Sequence, residues 1–159
     1  SFKRNHEQIN WLIDLVTNIR STKVNLNVSP GDYIEISTAE LNRKKTNIIN
    51  DNIAVFKRLA RVSKVNYSKL NQNSIKIIVS GETVILYFGQ NLNFNEQKQK
   101  LHLKVNSLDL KIKNIINKLK NKSFLNNAPK NIVENEKKAQ KDYVLELKKL
   151  NSILNSIKN

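Results

Sequence analysis

No cysteine and no methionine occur in the 159 residues, and glycine (3), proline (2), histidine (2) and tryptophan (1) are scarce. Each shortage closes a class of chemistry. Without Cys there is no disulfide, no thiol nucleophile and no thiolate metal site, a usage that fits a reducing compartment. The two imidazoles, His6 and His102, lie far apart in sequence and fit a histidine-based metal or catalytic centre poorly. Three Gly are too few for a loop that cradles phosphates. No paired-carboxylate or Ser-His-Asp spacing stands out, so no catalytic, cofactor-binding or metal-binding residue is assigned. No apolar run approaches 18 residues, which leaves nothing to span a membrane, and the first residues do not resemble a signal peptide. The missing Met leads to the expectation that the chain is cut or processed from something longer. Its last helix keeps an apolar stripe almost to the final residue, so a C-terminal piece is expected.

Basic residues are abundant. Lys and Arg number 28 against 13 Asp and Glu, a formal charge of +15. An excess of this size favours a polyanion, either nucleic acid or an anionic membrane surface. The chain is also rich in Lys, Asn and Ile, as A/T-rich codons produce. Such drift favours Asn equally, however, and does not by itself create the net charge. With 39% hydrophobic and 26% charged residues the chain has enough apolar matter for a core.

Along the chain, Ile9, Leu12, Ile13, Val16 and Ile19 predict an amphipathic helix over 5–20, with Trp11 and Leu15 beside the stripe. A turn at Val28-Ser29-Pro30-Gly31-Asp32 leads to a short strand, Tyr33-Ile34-Glu35-Ile36. A second helix is expected over 42–62, with Ile48, Ile49, Ile53, Phe56, Leu59 and Ala60 inward and Arg43, Lys44, Lys45, Lys57, Arg58 and Arg61 outward. From Ser74 the period falls to two. Ile75, Ile77 and Val79, then Ser80-Gly81-Glu82-Thr83, then Val84-Ile85-Leu86-Tyr87-Phe88, describe a hairpin.

The last third carries the strongest pattern. Leu101, Val105, Leu108, Ile112, Ile115 and Leu119 recur at spacings of four and three, as do Tyr143, Leu147, Leu150, Leu154 and Ile157. Asn126-Asn127-Ala128-Pro129 separates the two stripes, and Pro129 cannot sit inside a helix. A bend this short folds the second helix back along the first. The fold class is therefore α+β and mainly helical: a small strand-helix-hairpin module followed by a long antiparallel two-helix coiled-coil arm. The expected divisions are 1–22, a tail helix of a helical domain; 23–91, the connector module; and 92–159, the arm.

The arm is the functional candidate. From Leu92 onward it holds 15 Lys, no Arg and 6 acidic residues, a net of +9. Lysine is a mobile point charge suited to phosphate, whereas bidentate reading of bases favours Arg. The pattern argues for contact with backbone and shape, which suits structured RNA. Lys111, Lys118 and Lys122, with Lys137, Lys138, Lys141 and Lys148, lie off the apolar seams and are the candidate RNA contacts. Phe124, Ala128, Pro129, Ile132 and Val133 form the structural bend, where the Phe124 ring is expected to close the tip. Asp109, Glu134, Glu136, Asp142 and Glu146 read as solvated partners for neighbouring lysines.

Four segments carry a family resemblance. Lys118-Leu119, Asn121, Phe124, Ala128-Pro129, Ile132-Val133 and Glu136 match KLxNxxFxxxAPxxVVxxE, and the string resembles the C-terminal coiled-coil arm of valyl-tRNA synthetases. Arg20, Lys23, Asn27-Val28 and Pro30 resemble the RxxRxExNVxP segment that closes that family's anticodon-binding domain. Leu59-Ala60-Arg61-Val62 resembles LARxE, and Val79-Ser80-Gly81-Glu82 with Gly89 resembles the VxGxxVxLPLxG hairpin. The chain departs from the family with Lys23-Val24-Asn25 in place of Arg-x-Glu, with Leu92-Asn93 in place of Ile-Asp, and with Lys and Asn dominating the arm.

The resemblance implies an intact enzyme that joins valine to its tRNA with ATP, using a Rossmann-type catalytic domain and an editing domain that lie outside this chain. It implies no cofactor in this piece, tRNA as partner with neither DNA nor membrane, a monomer, and a cytoplasmic location. The arm would lie against the outer corner of the L-shaped tRNA. Three alternatives stay open: a freestanding basic coiled-coil adaptor, the similar arm of some ribosome-associated ATPases, and a membrane-surface helix. Neither of the first two needs the Arg20-to-Pro30 or hairpin segments, and the third expects bulky apolar residues facing out.

Overall fold

A computed structural model describes residues 2–157. Its first element, α1 (Phe2–Asn25), is a 24-residue helix. Trp11, Leu15, Val16, Ile19 and Leu26 are buried along it, whereas Ile9 and Ile13 are more than half exposed. The apolar face is thus rotated from the expected one, with Leu15 and Ile19 at its centre and Trp11 at its edge. The apolar residues span about 200° of the helix, wider than the buried arc, so the element it packs on, not the periodicity, selects the buried side. That element is the layer formed by α3 and β3.

The stop of α1 is written locally. Asn27 adopts a left-handed backbone (φ 55°), Val28 N–H donates to the Lys23 carbonyl (2.9 Å) and Asn27 N–H to that of Val24 (3.1 Å). These are the paired bonds of a Schellman stop, with Asn in the position that tolerates positive φ, and Pro30 follows to prevent continuation. The Asn-Val-x-Pro string has a physical reason.

Next come β1 (Ile34–Ser37), α2 (Arg43–Asp51), α3 (Ile53–Ala60) and β2 (Val62–Asn66). The helix expected over 42–62 is two helices and a strand. Asn52 breaks it, with φ −121° and its side-chain amide donating to the Ile48 carbonyl at 2.9 Å. An Asn amide that bonds its own backbone competes with the helix ladder. Leu59, expected inward, is 47% exposed, while Ile49, Phe56 and Ala60 are fully buried. Arg61 ends α3 in the left-handed region (φ 53°), and β2 starts at the next residue, parallel to β1.

The hairpin β3 (Ser74–Val79) and β4 (Glu82–Tyr87) forms as expected. Ser80 and Gly81 both have positive φ (51° and 79°), which makes a two-residue type I′ turn pairing Val79 with Glu82. The sheet order is β2-β1-β4-β3. Its inner face, with Ile34, Ile36, Ile75, Ile77, Val84 and Leu86 buried, meets the helices. On the opposite face Ile85 and Tyr87 are also buried; the β2–β3 connection reaches back there, with Leu70 N–H donating to the Tyr87 hydroxyl at 2.8 Å.

After a 3-10 turn at Gly89–Asn91 the chain enters α4 (Phe94–Lys120), short α5 (Lys122–Asn127) and α6 (Lys130–Ile157). Helices α4 and α6 pack as an antiparallel pair, and α6 also packs on β3. The Lys76 amide on the β3 edge donates to the Ser156 hydroxyl. The end of α6 thereby covers an edge that would otherwise expose unpaired backbone groups. Leu101, Leu108, Leu150, Ile153 and Leu154 join the same buried cluster as the sheet and α1.

Candidate nucleic-acid interface

Burial along the arm falls from root to tip. Leu101 and Leu150 are fully buried at the root, Leu108 and Ile115 nearly so, and Ile112, Leu119, Val133 and Tyr143 are half-buried. Two contacts fix the register between the helices. The Lys111 ammonium lies over the Tyr143 ring at 5.4 Å, and Lys118 pairs with Glu136 at 3.3 Å. A step of seven up α4 thus meets a step of seven back along α6, as an antiparallel heptad seam requires.

Root and tip are both built by caps. Asn93 opens α4, accepting the Glu96 N–H at 3.1 Å. Asn121 breaks from α4 and opens α5, its side-chain oxygen accepting the N–H groups of Ser123 (2.9 Å) and Phe124 (3.2 Å). Ala128 is extended, as a residue before proline must be, and the Pro129 carbonyl accepts the Ile132 and Val133 N–H groups to start α6. Phe124, Ala128 and Val133 are half-buried, Pro129 is exposed and Ile132 is 41% exposed.

The seven candidate lysines are all exposed, and they fall into distinct groups. On α6, Lys137, Lys141 and Lys148 share a face with Lys130, which was not among the candidates. At 100° per residue these four lie within a strip about 40° wide and about 27 Å long. Lys138 lies on the neighbouring flank. On α4, Lys111 and Lys118 continue a seven-residue row that starts at Lys104, a second addition. Lys104 donates to the Asn25 carbonyl at 3.3 Å and so ties the row to the end of α1. Lys122 sits on α5, beyond the break at Asn121. The seven-residue spacing of Lys104 and Lys130 from their neighbours is the sequence signal that marks them. Lys137 also pairs with Glu134 at 3.6 Å and Lys100 with Glu96 at 3.0 Å. Such exposed pairs contribute at most about 1 kcal/mol, so they leave the lysines available to phosphate.

The base has a different electrostatic feature. Lys23 is 1% exposed, and its ammonium donates to the carbonyls of Asp32 (2.6 Å), Ala60 (3.2 Å) and Arg61 (3.3 Å). One buried cation thus joins the end of α1, the turn before β1 and the end of α3. Burial pushes its pKa down to about 8, opposed by the charge of Asp32 and assisted by Arg61 and Arg20. Elsewhere on the base, Lys69 and Lys76 flank Glu40 at 2.7 and 2.8 Å and hold its carboxyl below the usual range. Among the described residues, no group of three or more His, Asp or Glu is placed to hold a metal, and no helix is long and apolar enough to cross a membrane.

A lysine-clad helical arm rooted in a small α+β base defines a class of module suited to lying along a polyanion. The match with known families makes it specific: residues 93–158 fit the family described as the valyl tRNA synthetase tRNA binding arm. The chain's similarity to valine–tRNA ligases extends beyond the arm. The chain is 31% identical to that of Pelagibacter ubique over 130 residues, 32% to that of Agrobacterium fabrum over 141, and 28% to that of Rhodopseudomonas palustris over 157. Those alignments cover 82%, 87% and 96% of this chain. The chain spans 15%, 15% and 16% of the length of these relatives.

Proposed function

We propose that this chain is the tRNA-engaging tail of a valine–tRNA ligase, in which the arm steadies the tRNA body while ATP and valine are used elsewhere in the intact enzyme. One observation carries the reading: the segment that matches the family's tRNA binding arm is the segment whose positive charge is all lysine, set in rows off the apolar seam. Lysine rows neutralise a phosphate backbone without selecting a base. Their contribution to charging is positional. They raise the fraction of enzyme with tRNA seated, and they touch no reacting atom. The reading extends to a monomeric, cytoplasmic enzyme with tRNA and not DNA as its partner.

The test is kinetic. In the complete ligase, Lys137, Lys141 and Lys148 are changed together to Glu, and in a second variant Lys111, Lys118 and Lys122. The Michaelis constant for tRNA should rise about tenfold or more in at least one variant, with valine-dependent pyrophosphate exchange unchanged. Charging at the parent level in both variants would make the arm a structural element only.

A further inference from the structure

A cleft of about 430 Å³ lies where the base meets the root of the arm, lined by residues from the end of α1, the turn before β1 and the first turn of α4. Its polar lining includes Asn27, Asp32, Glu96 and Gln97, and Tyr33 stands among its walls. Tyr33 is 55% exposed. The Arg61 guanidinium lies 5.6 Å from the centre of the Tyr33 ring and donates to its hydroxyl at 3.0 Å. A guanidinium bonded to the hydroxyl end of an exposed tyrosine fixes the ring and leaves a ring face on which a nucleobase can stack.

We infer that this cleft receives one unpaired nucleobase bearing an exocyclic amine, stacked on the Tyr33 ring that Arg61 holds in place. The inference rests on the tRNA reading above and places a second contact outside the arm. The chemistry of the lining selects the ligand. Asp32 and Glu96 make the interior unfavourable for phosphate, whereas carboxylates accept from the amino edge of cytosine or guanine. Gln97, 8% exposed, accepts from the Asn27 amide at 3.3 Å and retains amide donors of its own. The charge pattern fits the same division, since the arm carries no Arg while Arg61 holds the hydroxyl of Tyr33, a residue of the cleft wall.

The site is also preorganised. Buried Lys23 holds the carbonyls of Asp32 and Arg61, and the Ile34 N–H donates to the Arg61 carbonyl at 3.0 Å. Both backbones that present Tyr33 and Arg61 are therefore fixed before any ligand arrives, which reduces the ordering cost of binding.

Fluorescence anisotropy of this chain with a tRNA transcript and with a fully paired RNA duplex of similar length tests the site. Tyr33→Ala and Arg61→Gln should each weaken tRNA binding about 5- to 20-fold, as removal of one stacked base does, and leave the duplex unchanged. Tyr33→Phe, which keeps the ring, should bind tRNA within about twofold of the parent. Charge swaps on the arm should weaken both RNAs. If Tyr33→Ala affects both RNAs equally, or neither, the cleft is not a base site, while the reading of the arm stands. If the parent chain binds neither RNA, both proposals fall. Cytidine and guanosine monophosphates separate the two sources of a base. Neither should saturate the cleft below millimolar concentration; tight nucleotide binding with tRNA affinity insensitive to Tyr33→Ala overturns the RNA assignment.

Discussion

The base and the arm solve the same packing problem with different margins. In the base, α1, α2 and α3 close over one face of a four-stranded sheet, so Ile36, Ile49, Phe56, Ile75 and Leu86 have no exposed surface. In the arm a single seam joins two helices, and burial fades toward the tip. The base also carries a buried cation and all five Arg of the sequence, whereas the arm carries only Lys as its cations. The contrast separates a rigid seat from a charged rod, whose outer half is held by little more than side-chain pairs across the seam. A rod of that kind can adjust along a phosphate backbone without disturbing the seat.

The largest expected effect is in the seat. Phe56→Ala should destabilise the chain by about 3–5 kcal/mol, because the ring is fully enclosed and its neighbours are held in the sheet and α1. Chemical denaturation should show this as a lower midpoint. A drop below about 1 kcal/mol would mean that the core collapses around the deletion and the seat is not rigid.

Next in size is Lys23. Replacing it by Met keeps the stem but removes the ammonium from three carbonyls; that of Arg61 keeps the Ile34 N–H, so the loss falls on those of Asp32 and Ala60, with an expected destabilisation of about 2–3 kcal/mol at neutral pH. The pH dependence sharpens the point. The folded pKa is about 8 against an ordinary 10.5, so between those values the unfolded chain binds more protons than the folded one. Stability from this group therefore rises with pH across that window, by on the order of 2 kcal/mol, and is lowest below pH 8. The parent should gain on Lys23→Met as pH climbs from 8 to 10; parallel stability curves would show that the ammonium is not buried.

At the tip the effects shrink. Phe124 is half-buried, so Phe124→Ala should cost about 1–2 kcal/mol, less than a fully buried ring, with faster hydrogen exchange confined to α5 and the start of α6. Exchange that quickens as far as β3 would mean that arm and seat unfold as one unit. Smallest of all, a double-mutant cycle on Lys118 and Glu136 should give about 0.5 kcal/mol or less, vanishing in high salt.

The sequence told most where structure is local. The two arm seams follow from heptad spacing, the hairpin from Ser80-Gly81, and the turn before β1 from Val28-to-Asp32, because each is decided within a few residues; the end of α1, expected at 20, lies at Asn25. What it hid depends on distant partners. The buried face of α1 is chosen by α3 and β3 within an apolar arc wider than the face they cover. Strand β2 lacks a clean alternation in Val62-Ser63-Lys64-Val65-Asn66 and gains its identity by pairing with β1. Burial of Lys23 was unreadable, since its three acceptors come from residues 9, 37 and 38 positions away. Of the candidate interface, the lysines and the seven-residue spacing of their rows are written in the sequence, but the Tyr33–Arg61 pair is not, because residues 28 positions apart meet only in the fold.

The arm is held to meet RNA through its lysine rows, and the direct measurement is the slope of log affinity for tRNA against log salt. It is taken for the parent and for a variant with Lys130, Lys137, Lys141 and Lys148 changed to Gln. Every phosphate that is no longer neutralised takes about 0.7–0.9 off that slope, so loss of all four should make the variant shallower by about 3. Parallel lines of equal slope would contradict the claim, for they would mean that this face releases no counterions when the rod engages tRNA.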